Sequence, residues 1–140
     1  MLKDVIIDVH ATHNYGEDNS DTIEFTTDGY FTTEDGVRCI TYSESEVTGM
    51  QGTRTSVFVM DDKVVVDRDG VVTSRMEFTE GGKSKFLYRT PFGNATLGIN
   101  TRKIRKDLSD CGGKLEIEYV LDMDHAVASK NRLSLEVRNA

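Results

Sequence analysis

The strongest constraint on the fold of this 140-residue chain is a period-two alternation of apolar and polar side chains, repeated from end to end and broken by short Gly/Asp turns. A strand turns successive side chains to opposite faces, so such a pattern describes strands with one dry and one wet face. The cleanest case is Leu115, Ile117, Tyr119 and Leu121 against Lys114, Glu116 and Glu118, with Val120 the apolar exception on the wet face. The final segment repeats it: Ser129, Asn131, Leu133, Leu135 and Val137 share one face, and Arg132, Ser134, Glu136 and Arg138 the other.

The same reading runs along the rest of the chain. Lys3 to His13 is a strand with Val5, Ile7 and Val9 inward, followed by a polar loop over 14–20. Thr22 to Thr33 is interrupted at Asp28-Gly29 by either a bulge or a hairpin turn. Asp35-Gly36 predicts a hairpin, and Val37 to Val47 leads into a Gly-bracketed turn at Thr48 to Gly52. Strands follow at Arg54 to Met60, Lys63 to Asp67, Val71 to Thr79 and Ser84 to Thr90, then one opened by Ala95, Leu97 and Ile99. From Thr101 to Asp110 the alternation fails, and Ile104 with Leu108 also fits a short helix. Asp122 to His125 forms the last turn.

About ten short strands joined by short turns predict a single all-β domain over residues 1–140, an antiparallel meander. So many strands curl or split, and closure removes the edges that invite aggregation. A closed barrel of about eight to ten strands is therefore expected, with a two-sheet sandwich as the alternative.

An ordered series of fragments resembles the YwiB-like family of bacterial calycin-like (lipocalin-like) β-barrel proteins of unknown function. It runs through Tyr42-Ser-Glu44-Ser-Glu46-Val-Thr48-Gly49, Gly52-Thr53-Arg-Thr55, Arg68-Asp-Gly70, Met76-Glu-Phe78, Tyr88-Arg-Thr90-Pro91-Phe-Gly93, Gly112-Gly113-Lys-Leu115, Tyr119-Val-Leu121 and Ser129-Lys-Asn131-Arg-Leu133. The resemblance implies a lipocalin-like barrel in a cytoplasmic bacterial protein. It implies no reaction, ligand or catalytic residue.

Composition narrows the partners. With 17 basic and 24 acidic residues the net charge is −7, which repels a phosphate backbone and argues against nucleic acid. Val5-Ile6-Ile7 is far too short for a signal peptide or membrane span, so a cytoplasmic protein is expected. Cys39 and Cys111 read as reduced thiols.

Alternation places polar groups on inward faces. Tyr42, Glu44 and Glu46 share the face of Ile40, Arg68 that of Val64 and Val66, and Tyr88, Thr90, Tyr119, Ser129 and Asn131 lie on similarly flanked faces. A buried charge is costly unless paired or hydrogen-bonded. One reading makes Tyr42, Glu44, Arg68, Tyr88, Thr90, Tyr119 and Asn131 a polar ring that binds a small polar or amphipathic ligand, with Arg68 taking an anionic group. The plainer reading is that Glu44 and Arg68 pair and lock the strand register.

Neither a nucleophile elbow nor an activated cysteine is visible, and no cofactor is implied. His10 and His13 fall on opposite faces, and His125 sits in a turn with Asp122 and Asp124, so no metal site is expected. Gly49-Met50-Gln51-Gly52 reads as a turn, not a nucleic-acid loop. The function expected is a non-enzymatic small-molecule-binding barrel. The alternatives are a protein-interaction or oligomerising module, such as a homodimer, and an acid/base enzyme using Glu44 or Glu46 with Tyr88.

Overall fold

The computed structural model describes residues 2–16, 19–123 and 126–140. Ten antiparallel strands form one sheet: β1 (Leu2–Asn14), β2 (Ser20–Glu34), β3 (Val37–Ser43), β4 (Thr53–Val59), β5 (Val64–Gly70), β6 (Ser74–Phe78), β7 (Lys83–Thr90), β8 (Gly93–Ser109), β9 (Gly112–Met123) and β10 (Ala126–Asn139). Their spatial order is β6-β5-β4-β3-β2-β1-β10-β9-β8-β7, a meander in which β1 also pairs with β10. The two end strands then meet. Thr73 and Arg89 exchange two backbone hydrogen bonds of 3.0 Å, and the Ser84 hydroxyl donates to the Glu77 carbonyl at 2.9 Å. The sheet is thus a nearly closed barrel, not a sandwich, with a sparsely bonded seam between β6 and β7.

The turns follow their residues. At Asp35-Gly36 both φ angles are positive, 51° and 79°, the twist that matches a two-residue hairpin. Asp28-Gly29 is neither bulge nor turn, because β2 runs through it in unbroken register with β1. A Cβ at Gly29 would lie 2.4 Å from both Ile7 Cδ1 and the Thr41 carbonyl oxygen, so glycine is needed for close approach. No helix forms over 101–110. β8 continues, but its register with β9 shifts between Thr101 and Lys103, leaving Arg102 as an extra residue. That bulge reverses the parity, so Ile104 and Leu108 are half-buried against the core from even positions.

The stretch after β3 also differs from the hairpin expected. A short 3₁₀ turn covers Glu46–Thr48, capped by the Ser45 side chain and ended by Gly49 at φ 73°. The strand therefore stops at Ser43, and Glu46 leaves the face of Glu44 for solvent.

Connectivity sorts the turns to two ends. Those after β1, β3, β5, β7 and β9 lie at one end and those after β2, β4, β6 and β8 at the other. Toward the second end the interior is apolar and fully buried, filled by Ile7, Phe31, Ile40, Val57, Val64, Leu115, Ile117 and Leu135. Toward the first, inward positions become polar: Glu44, Thr55, Ser74, Ser129 and Asn131 are all buried. This gradient gives the barrel a packed base and a polar end.

Candidate functional site

At the polar end, one row of paired positions crosses four strands: Tyr42 on β3, Thr55 on β4, Arg68 on β5 and Ser74 on β6. All four point inward because they continue the apolar parity of Ile40, Val57, Val66 and Met76. Glu44 follows one step beyond β3, and its backbone N–H donates to the Thr53 carbonyl at 2.8 Å, which turns the carboxylate into the row.

The Glu44 side chain is 1% exposed, and that of Arg68 is 15% exposed. Glu44 Oε2 accepts from the Thr55 hydroxyl at 2.6 Å and lies 3.6 Å from Arg68 Nε, an ion pair without a hydrogen bond. Arg68 Nη1 is 3.6 Å from the thioether of Met76. Glu44 Oε1, Arg68 Nε and Ser74 Oγ, all buried, find no hydrogen-bond partner among the described residues. Buried polar atoms are nearly always satisfied, so three in one row mark a polar cluster with unused hydrogen-bonding capacity.

Two tyrosines flank the pair. Burial pushes the Tyr42 hydroxyl well above its usual range, the nearby Glu44 carboxylate adds to this, and Arg68 partly offsets it. Burial likewise raises Tyr119, again against the pull of Arg68. Tyr119 packs edge-on to Phe78 at 4.8 Å between centroids and faces Asn131 across β9 and β10. The Asn131 amide donates to Ser129 Oγ at 3.1 Å and its oxygen lies 2.7 Å from His13 Nδ1.

Of the residues expected in a polar ring, Tyr42, Glu44, Arg68 and Tyr119 come together, with Asn131 and Ser129 adjoining through Tyr119. Thr90 does not join them. It closes the β7–β8 turn, its hydroxyl donating to the Gly93 carbonyl at 2.8 Å and accepting from the Phe92 N–H at 3.2 Å. Tyr88 is half-buried and packs edge-on to Phe86, at the seam beside Ser74. Thr55, Ser74 and His13 complete the cluster; parity with Val57, Met76 and Val9 was the signal for each. Glu46 is exposed, so Glu44 and Glu46 do not form a carboxylate pair.

His10 lies outside the barrel, its Nδ1 3.2 Å from Glu24, and does not approach His13. Asp124 and His125 lie outside the described residues. Cys39 is half-buried and Cys111 exposed, both unbridged.

Comparison with known proteins agrees with this architecture. The family model described as "Domain of unknown function (DUF1934)" matches residues 7–135. The chain is 28% identical over 120 residues to the uncharacterized beta-barrel protein YwiB of Bacillus subtilis (strain 168), covering 85% of this chain and 83% of that protein. The crystal structure of ywiB protein from Bacillus subtilis has the same fold, with a TM-score of 0.81 over 99% of this chain and 93% of that one at 24% identity.

Proposed function

From the premise that the chain belongs to the family described as "Domain of unknown function (DUF1934)", a description that carries no activity, we propose that it is a calycin-like, cytoplasmic, non-enzymatic barrel that binds a small polar or amphipathic molecule. The observation that carries this reading is the buried, incompletely hydrogen-bonded Glu44–Arg68 pair at the polar end. A buried ion pair that serves only to hold the fold is costly unless every lone pair and proton is used. Here an acceptor, Glu44 Oε1, and two donors, Arg68 Nε and the Ser74 hydroxyl, stand ready in one row. A ligand group able both to donate and to accept, such as a hydroxyl, amide or carboxylic acid, complements them. Native mass spectrometry of the protein purified from a cell extract tests the proposal. A small mass that is lost on denaturation supports it; a bare chain that also takes up nothing from a polar metabolite extract overturns it.

A second observation favours the interaction module. Tyr15, Val47, Val71, Phe92, Met123 and Val127 are exposed, and they distribute over all five turns at the polar end. Among the described residues the turns at the opposite end carry no such side chain, and the exposed apolar residues toward that end are Leu2 and Tyr30, both within strands. A rim of this kind suits a homodimer closing two barrels mouth to mouth. The same spectrum decides, because a dimer that Phe92→Ser converts to monomer supports the rim as an interface, and a monomeric parent chain opposes it.

A further inference from the structure

Both register shifts of the described strands act on one short piece of β9. The first inserts Arg102 into β8 opposite Tyr119 and Glu118, and the second falls between Val127 and Ser129 of β10, opposite Leu121 and Asp122. Bulges bend a strand and re-aim side chains, and two bracketing one segment reshape the outer face there. That face holds a cleft of about 290 Å³ lined by Thr12, Arg102, Glu118, Val120, Lys130 and Arg132, and it borders Tyr119 and Asn131 of the polar cluster. Val120, the apolar residue on the wet face of β9, is buried as its floor.

The charge on this patch opposes that of the whole chain. Lys103 and Arg132 sit directly across from Glu118 on the two sides, and the bulge adds Arg102 beside Lys103. Lys130 faces Val120. Lys103 and Arg132 thus flank one carboxylate, which Arg132 already hydrogen-bonds, while Arg102 and Lys130 lie one and two positions away from them along their strands. That bond, with Lys103 and Arg105 adding their charge, holds the Glu118 carboxyl below the usual range. Arg102 and Lys130 engage no carboxylate among the described residues. A protein of net charge −7 therefore carries a local positive surplus above an apolar floor.

We propose that this outer cleft is a binding site for a small phosphate monoester, separate from the Glu44–Arg68 pair, with Arg102 and Lys130 holding the dianion and Val120, together with the aliphatic stems around it, receiving an apolar substituent. Guanidinium forks match phosphate oxygens, and the aliphatic stems of Arg102 and Lys130 extend the apolar surface around Val120. The volume admits a phosphate with one ring-sized group, and the overall negative charge repels a longer polyanion.

The test is a titration of the isotope-labelled protein at low salt, followed by amide NMR, with inorganic phosphate and then phenyl phosphate against sodium chloride of matched ionic strength. Saturable shifts confined to 101–103, 118–120 and 130–132 are expected with both phosphates, and phenyl phosphate should bind about threefold tighter through the Val120 floor and the aliphatic stems of Arg102 and Lys130 around it. The double variant R102Q/K130Q should weaken both by about tenfold or more, whereas K85Q on another face changes neither. Shifts that match sodium chloride, or that spread over all basic residues, overturn the site. Equal affinity for the two phosphates overturns the role of Val120. None of these variants touches Glu44 or Arg68, so retention of a ligand at the polar end is scored independently.

Discussion

Replacing Arg68 by Met removes the one cation that, among the described residues, pairs with the 1% exposed Glu44 carboxylate, and leaves it with the Thr55 hydroxyl that already donates to it. Stranding one partner of a buried ion pair costs about 3–5 kcal/mol. Arg68 keeps 15% of its side-chain exposure and stands 3.6 Å from the carboxylate without a hydrogen bond, which places the expected loss at the lower end, about 3 kcal/mol. Glu44→Gln keeps an acceptor for Thr55 and leaves a guanidinium with some access to water, for about 1–2 kcal/mol. The double variant E44Q/R68M removes both charges and should be more stable than R68M alone, at about 1–2 kcal/mol below the parent chain. The chain has no tryptophan, so urea unfolding followed by far-UV circular dichroism is the assay. Simple additivity of the two single losses would refute the claim that Glu44 and Arg68 are coupled in a low-dielectric interior.

Gly29→Ala forces a methyl against Ile7 and the Thr41 carbonyl and should cost about 2–3 kcal/mol by urea titration, although no turn is involved. Tyr42 and Tyr119 have raised folded-state pKa values, so the stability they contribute is complete below the ordinary tyrosine range near pH ~10 and is lost as pH rises above it. Their ionisation at 295 nm should accordingly coincide with alkaline unfolding, and Y42F and Y119F should each remove part of that delayed change. Exposed Cys111 should react promptly with an aromatic disulfide reagent, and Cys39, whose thiol is pushed up by burial, only slowly until the chain unfolds.

The strands were legible wherever alternation was unbroken, and most of β9 and β10 can be read residue by residue from their apolar spacing. Three local features were not. Asp28-Gly29 carries the letters of a turn, yet its glycine is required by side chains and backbone more than twenty residues away in one direction and ten in the other, a tertiary reason that no local window contains. The break at Thr101 to Asp110 mimics helical spacing because one inserted residue, Arg102, converts odd inward positions into even ones. Glu46 satisfies strand parity on paper, but Ser45 caps a 3₁₀ turn and ends the strand first. The candidate site followed the same rule. Tyr42, Arg68, Tyr119 and Asn131 lie within regular strands, where parity holds, whereas Thr90 sits at a turn where its hydroxyl serves the backbone. Thr55 and Ser74 are short and polar, unremarkable alone, and acquire meaning only when the register sets them on either side of Arg68.

The most direct measurement is the native mass of the parent chain and of E44Q/R68M, both purified from the same cell extract and both checked for cooperative unfolding. The parent is expected to carry a small dissociable mass and the folded double variant to be bare. An identical bound mass on both proteins, or none on either after exposure to polar metabolites, would contradict a binding role for the Glu44–Arg68 end of the barrel.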